Sequence, residues 1–165
     1  MRFAVLITAV LLMISPAARA DDTMVKRLKY LNKCLGCDLA GGDLSGVNLE
    51  GAKLVGANLS DANLSKANLS RADLQGANLT GADLSDAKLI RADLKGAKLI
   101  RANLKGADVK GAYFHRTKFG DQTDLTGADL TGAKNLKDAR YIQRAKFCNT
   151  KTPWGVDNSG CKNKK

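Results

Sequence analysis

Apolar and polar positions recur with a period of five through the centre of the chain. From Ala52 to Ala112 each phrase runs small, polar, large apolar and then two permissive residues, as in AKLVG ANLSD ANLSK. On a helix, a five-residue step advances about 500°, so successive leucines would scatter around the cylinder. In a flat strand, an odd step sends alternate leucines to opposite faces. One core can hold every leucine only if the chain turns at each phrase, which predicts a solenoid.

Each phrase supplies two inward positions. The central position recurs every five residues from Leu39 to Phe119, and all 17 of these residues are apolar, 14 of them leucine. Two residues earlier stands a small position, which is alanine throughout Ala52–Ala112. A close-packed interior tolerates little change in volume, so one large and one small residue per phrase suit a narrow column.

Phrases such as Ala57-Asn58-Leu59 and Ala82-Asp83-Leu84 resemble those of the pentapeptide-repeat family. The resemblance covers about two-thirds of the chain. It implies an all-β fold, a right-handed quadrilateral β-helix in which four phrases, or twenty residues, complete each coil. Neighbouring coils would then stack at about 4.8 Å, the spacing of hydrogen-bonded strands.

The N-terminal end of the column is expected to be covered by a short helix. Val25, Leu28 and Leu31 lie at helical spacing, with basic residues on the other side, which predicts a capping helix within residues 21–36 that turns these three residues to the column. The alternative is a basic helix that lies on a membrane surface, which a length of barely three turns disfavours. The β-helix is then expected over residues 37–147.

The C-terminal part of the β-helix is expected to be irregular after residue 119. Steps of six residues lead to Leu125, Leu136 and Phe147, and a step of five leads to Tyr141. Inserted residues of this kind predict bulges or a widening of the coil. The alternative is a short helix over residues 135–145. Residues 148–165 are expected to form a cap and tail, and their FCNT…NSGC frame resembles the closing segment of other exported family members.

The first twenty residues predict a signal peptide. Arg2 precedes an apolar run from Ala4 to Ile14, and Ala18-Arg19-Ala20 offers a cleavage site. The run is too short to span about 30 Å of hydrocarbon. We therefore expect an exported protein, periplasmic, lumenal or extracellular, that is not transmembrane after cleavage.

Four cysteines, Cys34, Cys37, Cys148 and Cys161, allow three pairings in an exported chain. In the coil geometry that the family resemblance implies, Cys37 and Cys148 lie about five and a half coils, or roughly 26 Å, apart. Because a disulfide joins Cα atoms no more than about 7 Å apart, Cys148–Cys161 is expected to clip the C-terminal cap. Cys34 and Cys37 are expected to form a bridge or to remain buried thiols. A redox-active dithiol is disfavoured because the pair follows the predicted helix.

Basic residues predominate in the later phrases. The chain carries 27 basic and 16 acidic residues, a formal net charge of +11. Residues 88–118 hold nine basic residues against two acidic ones, which makes them a candidate contact for anionic surfaces or polyanions. In the implied coil Lys98 lies over Lys118 and the other bases fall on different faces, so we expect a girdle rather than a stripe. Binding of nucleic acid, which favours a stripe, is therefore disfavoured. The nine are Lys88, Arg91, Lys95, Lys98, Arg101, Lys105, Lys110, Arg116 and Lys118.

Catalytic chemistry is not predicted. The single histidine, His115, has no local nucleophile to serve, and the serines and aspartates occupy repeat positions that vary freely. No phosphate-binding loop is present, and the two cysteine pairs stand too far apart for one zinc site. We expect no enzyme, no cofactor and no metal.

The expected function is that of a structural or protein-interaction module with an unidentified protein partner. The alternative is binding of anionic surfaces or polyanions through residues 88–118. Some family members mimic DNA and protect gyrase, but that role requires an acidic surface and is disfavoured here. The chain is expected to be a monomer or an end-to-end dimer.

Overall fold

The computed structural model describes residues 22–161, and most of them form a coil held by parallel backbone bridges. Residue i pairs with residue i+20 from Lys33↔Lys53 to Lys98↔Lys118. Each phrase contributes one bridge, so four phrases complete a coil. In each rung the N–H of a central residue donates to the next coil, as from Leu59 to the carbonyl oxygen of Asn78 at 2.8 Å. The twenty-residue coil is confirmed.

The interior of the coil is filled by the two predicted inward positions. The central residues from Leu39 to Phe119, and the alanines from Ala52 to Ala112, are at most 1% exposed. Each phrase then turns at a residue with left-handed backbone. Glycine occupies many of these corners, as at Gly76 with φ 65°, but Lys66 with φ 59° and Arg91 with φ 57° do so too.

Helix α1, Asp22–Leu31, covers the N-terminal end of the column. It packs Val25 and Leu28 against the core, whereas Leu31 is 60% exposed. The inward placement expected for Leu31 is therefore wrong. The reason is local: the helix ends there, and Asn32 takes a left-handed φ of 49°.

The coil begins earlier than the sequence indicated. Lys33 already bridges to Lys53, and the backbone N–H of Cys34 donates to the carbonyl oxygen of Lys53 at 2.8 Å. Cys34 is buried and occupies the first central position. The first rung therefore precedes the boundary expected at Cys37, because the small apolar cysteine stands one phrase before Leu39.

Three inserted residues shift the later rungs, because the bridged positions step by six from Lys118 to Asp124, from Lys134 to Arg140 and from Arg140 to Lys146. The offset between bridged residues rises to 21 at Asn103↔Asp124 and to 22 at Lys118↔Arg140. The second shift coincides with a 3-10 helix, Leu136–Asp138, and another 3-10 helix spans Ile142–Arg144.

The 3-10 helices change which residues point inward. Leu136 is buried as expected, but Tyr141 is 51% exposed. The inward placement expected for Tyr141 is wrong because its backbone is left-handed, with φ 60°, and the next residue, Ile142, packs against the core instead.

Three buried threonines replace alanine in the irregular coils. The hydroxyls of Thr117, Thr123 and Thr150 each donate to a carbonyl oxygen one coil earlier. The acceptors are Leu94 at 2.6 Å, Leu99 at 2.7 Å and Leu125 at 2.7 Å. A buried hydroxyl requires such a partner, so these side chains tie each irregular coil to the one before it.

A β-hairpin closes the C-terminal end. Strands β1, Thr150–Thr152, and β2, Gly155–Asp157, pair antiparallel across a turn at Pro153 and Trp154. Lys151 of β1 also bridges to Asp129, so the coil extends past the expected boundary at residue 147.

Both cysteine pairs form disulfides. The Cα atoms are 4.7 Å apart in Cys148–Cys161 and 5.6 Å apart in Cys34–Cys37. The first bridge joins the end of the coil to the segment after β2, and the second joins the first phrase to the second. The predicted signal peptide, residues 1–20, lies outside the described residues.

Candidate functional site on the outer faces

The outer surface of the coil is organised as four columns of side chains. Each column consists of the residues that precede the central positions of one face and that bridge from coil to coil. From the second coil onward the first column is Lys53, Asp73, Asp93, Tyr113 and Lys134, and the second is Asn58, Asn78, Lys98, Lys118 and Arg140. The third is Asn63, Asp83, Asn103, Asp124 and Lys146, and the fourth is Asn68, Lys88, Asp108, Asp129 and Lys151.

The nine basic residues singled out in the sequence lie on all four faces. Lys98 and Lys118 share the second column, as predicted, and Lys88 stands in the fourth. The others follow a central residue by one or two positions and so lie beside the columns or at corners: Arg91, Lys95, Arg101, Lys105, Lys110 and Arg116. The structure therefore does not gather the nine into one site.

Several lysines are paired with carboxylates from neighbouring coils. Asp124 lies 3.5 Å from Lys105 and 3.4 Å from Lys146. Asp129 lies 3.4 Å from Lys110 and 3.7 Å from Lys151. We call these two arrangements the acidic clamps.

The two carboxylates of the acidic clamps have lowered pKa values. Burial raises the pKa of Asp124, but hydrogen bonding by Thr126 and the charge of Lys146 outweigh it and hold the pKa below its ordinary value. The pKa of Asp129 is likewise raised by burial but lowered further by hydrogen bonding to Thr131 and Lys110. The lysines of the acidic clamps thus already form ion pairs within the protein.

Three bases on the second face form an unpaired row, which we call the basic ladder: Lys98, Lys118 and Arg140. Lys98↔Lys118 and Lys118↔Arg140 are successive bridges, so the rungs are spaced at about 4.8 Å. Within residues 22–161, no carboxylate lies within 4.0 Å of any of the three. The expectation that no basic stripe forms along one side is wrong for this face.

The position of Arg140 on the second column was not predicted from the sequence. Counting in twenties from Lys118 reaches Asp138, whereas the two inserted residues bring Arg140 onto the column. The six-residue steps after Phe119 were the available signal, but they did not show which residue each step inserts.

A shallow groove of about 440 Å³ runs beside the basic ladder. Ile100, Phe119 and Gly120 contribute its apolar part, and a Cβ at residue 120 would lie 3.3 Å from Ile100. Arg144 lies 3.5 Å from Asp121 and 5.1 Å from the ring centre of Tyr141. The groove thus joins an aromatic ring to further positive charge.

The groups with catalytic potential are dispersed. Nδ1 of His115 lies 3.4 Å from Asp138, and hydrogen bonds from Asn135 and His115 lower the pKa of that carboxyl. In the described part of the chain, no cluster of three or more metal-ligating side chains occurs. None of the helices described between residues 22 and 161 is long and apolar enough to cross a membrane.

Comparison with known proteins relates this architecture to one family. The family model "Pentapeptide repeats (8 copies)" matches residues 43–81 and 77–116. A search of curated protein sequences found no match.

Three solved structures illustrate the similarity. Alr5209, a pentapeptide repeat protein from Nostoc PCC 7120, is 35% identical over 62% of this chain and 82% of its own, with a TM-score of 0.55. Rfr23, from Cyanothece 51142, is 29% identical over 74% of this chain and 96% of its own, with a TM-score of 0.51. A pentapeptide repeat protein from the Arabidopsis thaliana thylakoid lumen is 31% identical over 64% of this chain and 68% of its own, with a TM-score of 0.40.

Proposed function

This chain belongs to the pentapeptide-repeat family, and from that membership we propose that it is an exported, non-catalytic module that binds a protein partner through the outer faces of its coil. The filled interior is the observation that supports this proposal. The central residues from Leu39 to Phe119 are buried inside the column, so we expect ligand contacts to come from the outer columns and the two ends. We also infer a right-handed coil, as the family resemblance implies.

Cross-linking in the native compartment tests the partner. The chain, carrying an affinity tag, is cross-linked and recovered at low and at high salt, and the recovered proteins are identified by mass spectrometry. One protein enriched at both salt concentrations, and absent with an unrelated exported protein as bait, is the expected result. A hydrolytic or transfer activity that one side-chain substitution abolishes would overturn the proposal.

Export is supported by the leader-like residues 1–20 and by the two disulfides, which are typical of oxidising compartments. The intact mass of the protein recovered from its compartment tests this. We expect a chain that begins at Asp21 and lacks four hydrogens relative to the reduced chain. Full-length, fully reduced protein in the cytoplasm would contradict export.

Binding of a polyanion is a second candidate, favoured by the basic ladder. Three unpaired cations at regular spacing match the repeated charges of a linear polyanion better than the paired lysines of the acidic clamps do. Heparin chromatography is the test, with a triple variant, Lys98→Glu, Lys118→Glu and Arg140→Glu.

A matched control changes the same net charge elsewhere. Lys105→Glu, Lys110→Glu and Lys151→Glu reverse three lysines that already contact carboxylates. We expect the ladder variant to elute at markedly lower salt than this control. Equal losses of heparin retention in both variants would show that retention depends only on net charge. A wild-type chain that flows through the column at low salt would exclude polyanion binding.

A further inference from the structure

The N-terminal end of the rod exposes three large apolar side chains within six residues. Tyr30 is 87% exposed, Leu31 60% and Leu35 56%. Helix α1 turns Val25 and Leu28 to the core and leaves Tyr30 and Leu31 outside, and Leu35 follows the inward Cys34. Exposed apolar residues are ordinary when they are scattered, but a cluster at one end marks a contact surface.

Two of these side chains belong to a groove between α1 and the first coil. The groove has a volume of about 450 Å³ and is lined by Leu31, Leu35, Met24 and the Cys34–Cys37 disulfide. Arg27 and Lys33 are its charged lining residues. An apolar floor is thus combined with two cations.

Basic residues predominate around this groove, in the stretch between Asp22 and Asp38. Lys26, Arg27, Lys29 and Lys33 are all exposed, and no acidic residue occurs from Thr23 to Cys37. The next phrases, residues 38–87, contain more acidic than basic residues, so this cationic region is separate from the basic residues of the later phrases.

We propose that this N-terminal end docks on an anionic phospholipid surface. Leu31, Leu35 and the ring of Tyr30 enter the interface, where an apolar body with a polar tip is favoured. The four cations meet the headgroup phosphates, which attract basic residues near the surface.

A bilayer suits this surface better than a second copy of the chain. Two copies meeting end to end would bring two cationic rims together, and like charges in contact oppose association. A bilayer supplies negative charge and an apolar layer at once, and it needs no complementary shape.

Vesicle co-sedimentation tests the proposal. The chain is purified and its intact mass is recorded, so that only variants with the same N terminus are compared. It is mixed with vesicles of phosphatidylcholine alone or of phosphatidylcholine with phosphatidylglycerol. We expect binding only to the anionic vesicles, reduced about tenfold or more by Lys26→Glu, Arg27→Glu and Lys29→Glu together. Leu31→Ser with Leu35→Ser should also weaken it, without loss of the folded circular dichroism spectrum.

Controls separate this end from the rest of the molecule. Trp154→Ser with Val156→Ser removes two equally exposed apolar residues from the other end and should leave vesicle binding unchanged. The basic ladder variant should bind vesicles nearly as well as the wild type, which keeps this inference distinct from the polyanion candidate.

Absence of binding to anionic vesicles, or equal losses in the control pair, would overturn the proposal of membrane docking. So would a dimer in sedimentation velocity that Leu31→Ser with Leu35→Ser dissociates while vesicles bind neither form.

Discussion

At the scale of single residues, the corners of the coil hold the backbone in a left-handed conformation whichever residue occupies them. Glycine adopts this conformation without a steric penalty, whereas other L-residues do so at a cost. Lys66 and Arg101 nevertheless stand at corners with φ near 60°. The bridges on either side therefore impose the turn. The residue type at the corner only changes how much free energy the left-handed conformation costs.

We expect Gly76→Ala to destabilise the protein by about 1 kcal/mol. The corner has φ 65°, and a Cβ added there meets no atom within 4 Å, so the penalty comes from the backbone alone. Lys66→Ala is the control, because one non-glycine residue replaces another at φ 59°. Urea unfolding should show the control within about 0.5 kcal/mol of the wild type. Equal effects would contradict this account.

At the scale of the repeat, the irregular coils use buried hydroxyls to hold an inserted residue. The Thr123 hydroxyl donates to the Leu99 carbonyl oxygen at 2.7 Å and accepts from the N–H of Gly120 at 3.2 Å. The Thr117 hydroxyl donates to Leu94, and no backbone N–H that the structure describes donates to it.

We therefore expect Thr123→Val to cost more than Thr117→Val. Both lose a donated hydrogen bond, at about 1 kcal/mol. Only Thr123→Val also leaves a buried backbone N–H unsatisfied, which adds about 1–3 kcal/mol. Chemical unfolding gives the free energies, and hydrogen exchange should show faster exchange near Gly120. The reverse order would mean that the bulge is held by other contacts.

The acidic clamps predict a pH dependence. The pKa of Asp124 is lowered on folding, so its contribution is fully present above the unfolded value of about 3.9 and is lost as pH falls through the lower folded value. Asp124→Asn should thus cost about 1 kcal/mol at pH 7, where it removes two ion pairs.

Urea unfolding of Asp124→Asn and the wild type across the acidic range is the measurement. The difference between them should shrink once the carboxylate is protonated. Asp38→Asn is the control, since in the described part of the chain no base lies within 4.0 Å of that carboxylate. A difference that is constant with pH would contradict the assignment.

At the scale of the whole molecule, the rod depends on its ends, because each coil contacts only its neighbours. The two disulfides lie at these ends. In the loop-entropy model, the bridge between Cys148 and Cys161 contributes about 3 kcal/mol, and the shorter loop between Cys34 and Cys37 about 2 kcal/mol.

Replacing each pair by serine tests this ranking. Cys148→Ser with Cys161→Ser should lower stability more than Cys34→Ser with Cys37→Ser, and hydrogen exchange should rise first in the hairpin of β1 and β2. Peptide mapping without reduction should yield the 148–161 linked peptide. If that peptide is missing, the pairing itself is wrong.

The sequence predicted the regular part of the fold because a period of five leaves one arrangement that buries every central leucine. The inward placement of Leu39 to Leu104 followed from this spacing, whereas the four-sided coil of twenty residues was implied by the family resemblance. Leu31 and Tyr141 were misplaced because helix ends and left-handed residues do not follow the period. The basic ladder could not be predicted, since Arg140 reaches the second face only through two inserted residues.

The twenty-residue coil has a consequence for how such a chain can change in length. Duplicating one phrase rotates everything that follows by a quarter turn, and duplicating two exchanges opposite faces. The near-identical segments 87–96 and 97–106 are such a two-phrase unit, and their lysines and arginines therefore emerge on opposite sides. Only an insertion or deletion of four phrases, or of a multiple of four, leaves every surface residue in phase. The rod can thus be lengthened by one full coil while the angular relation between its two ends is preserved.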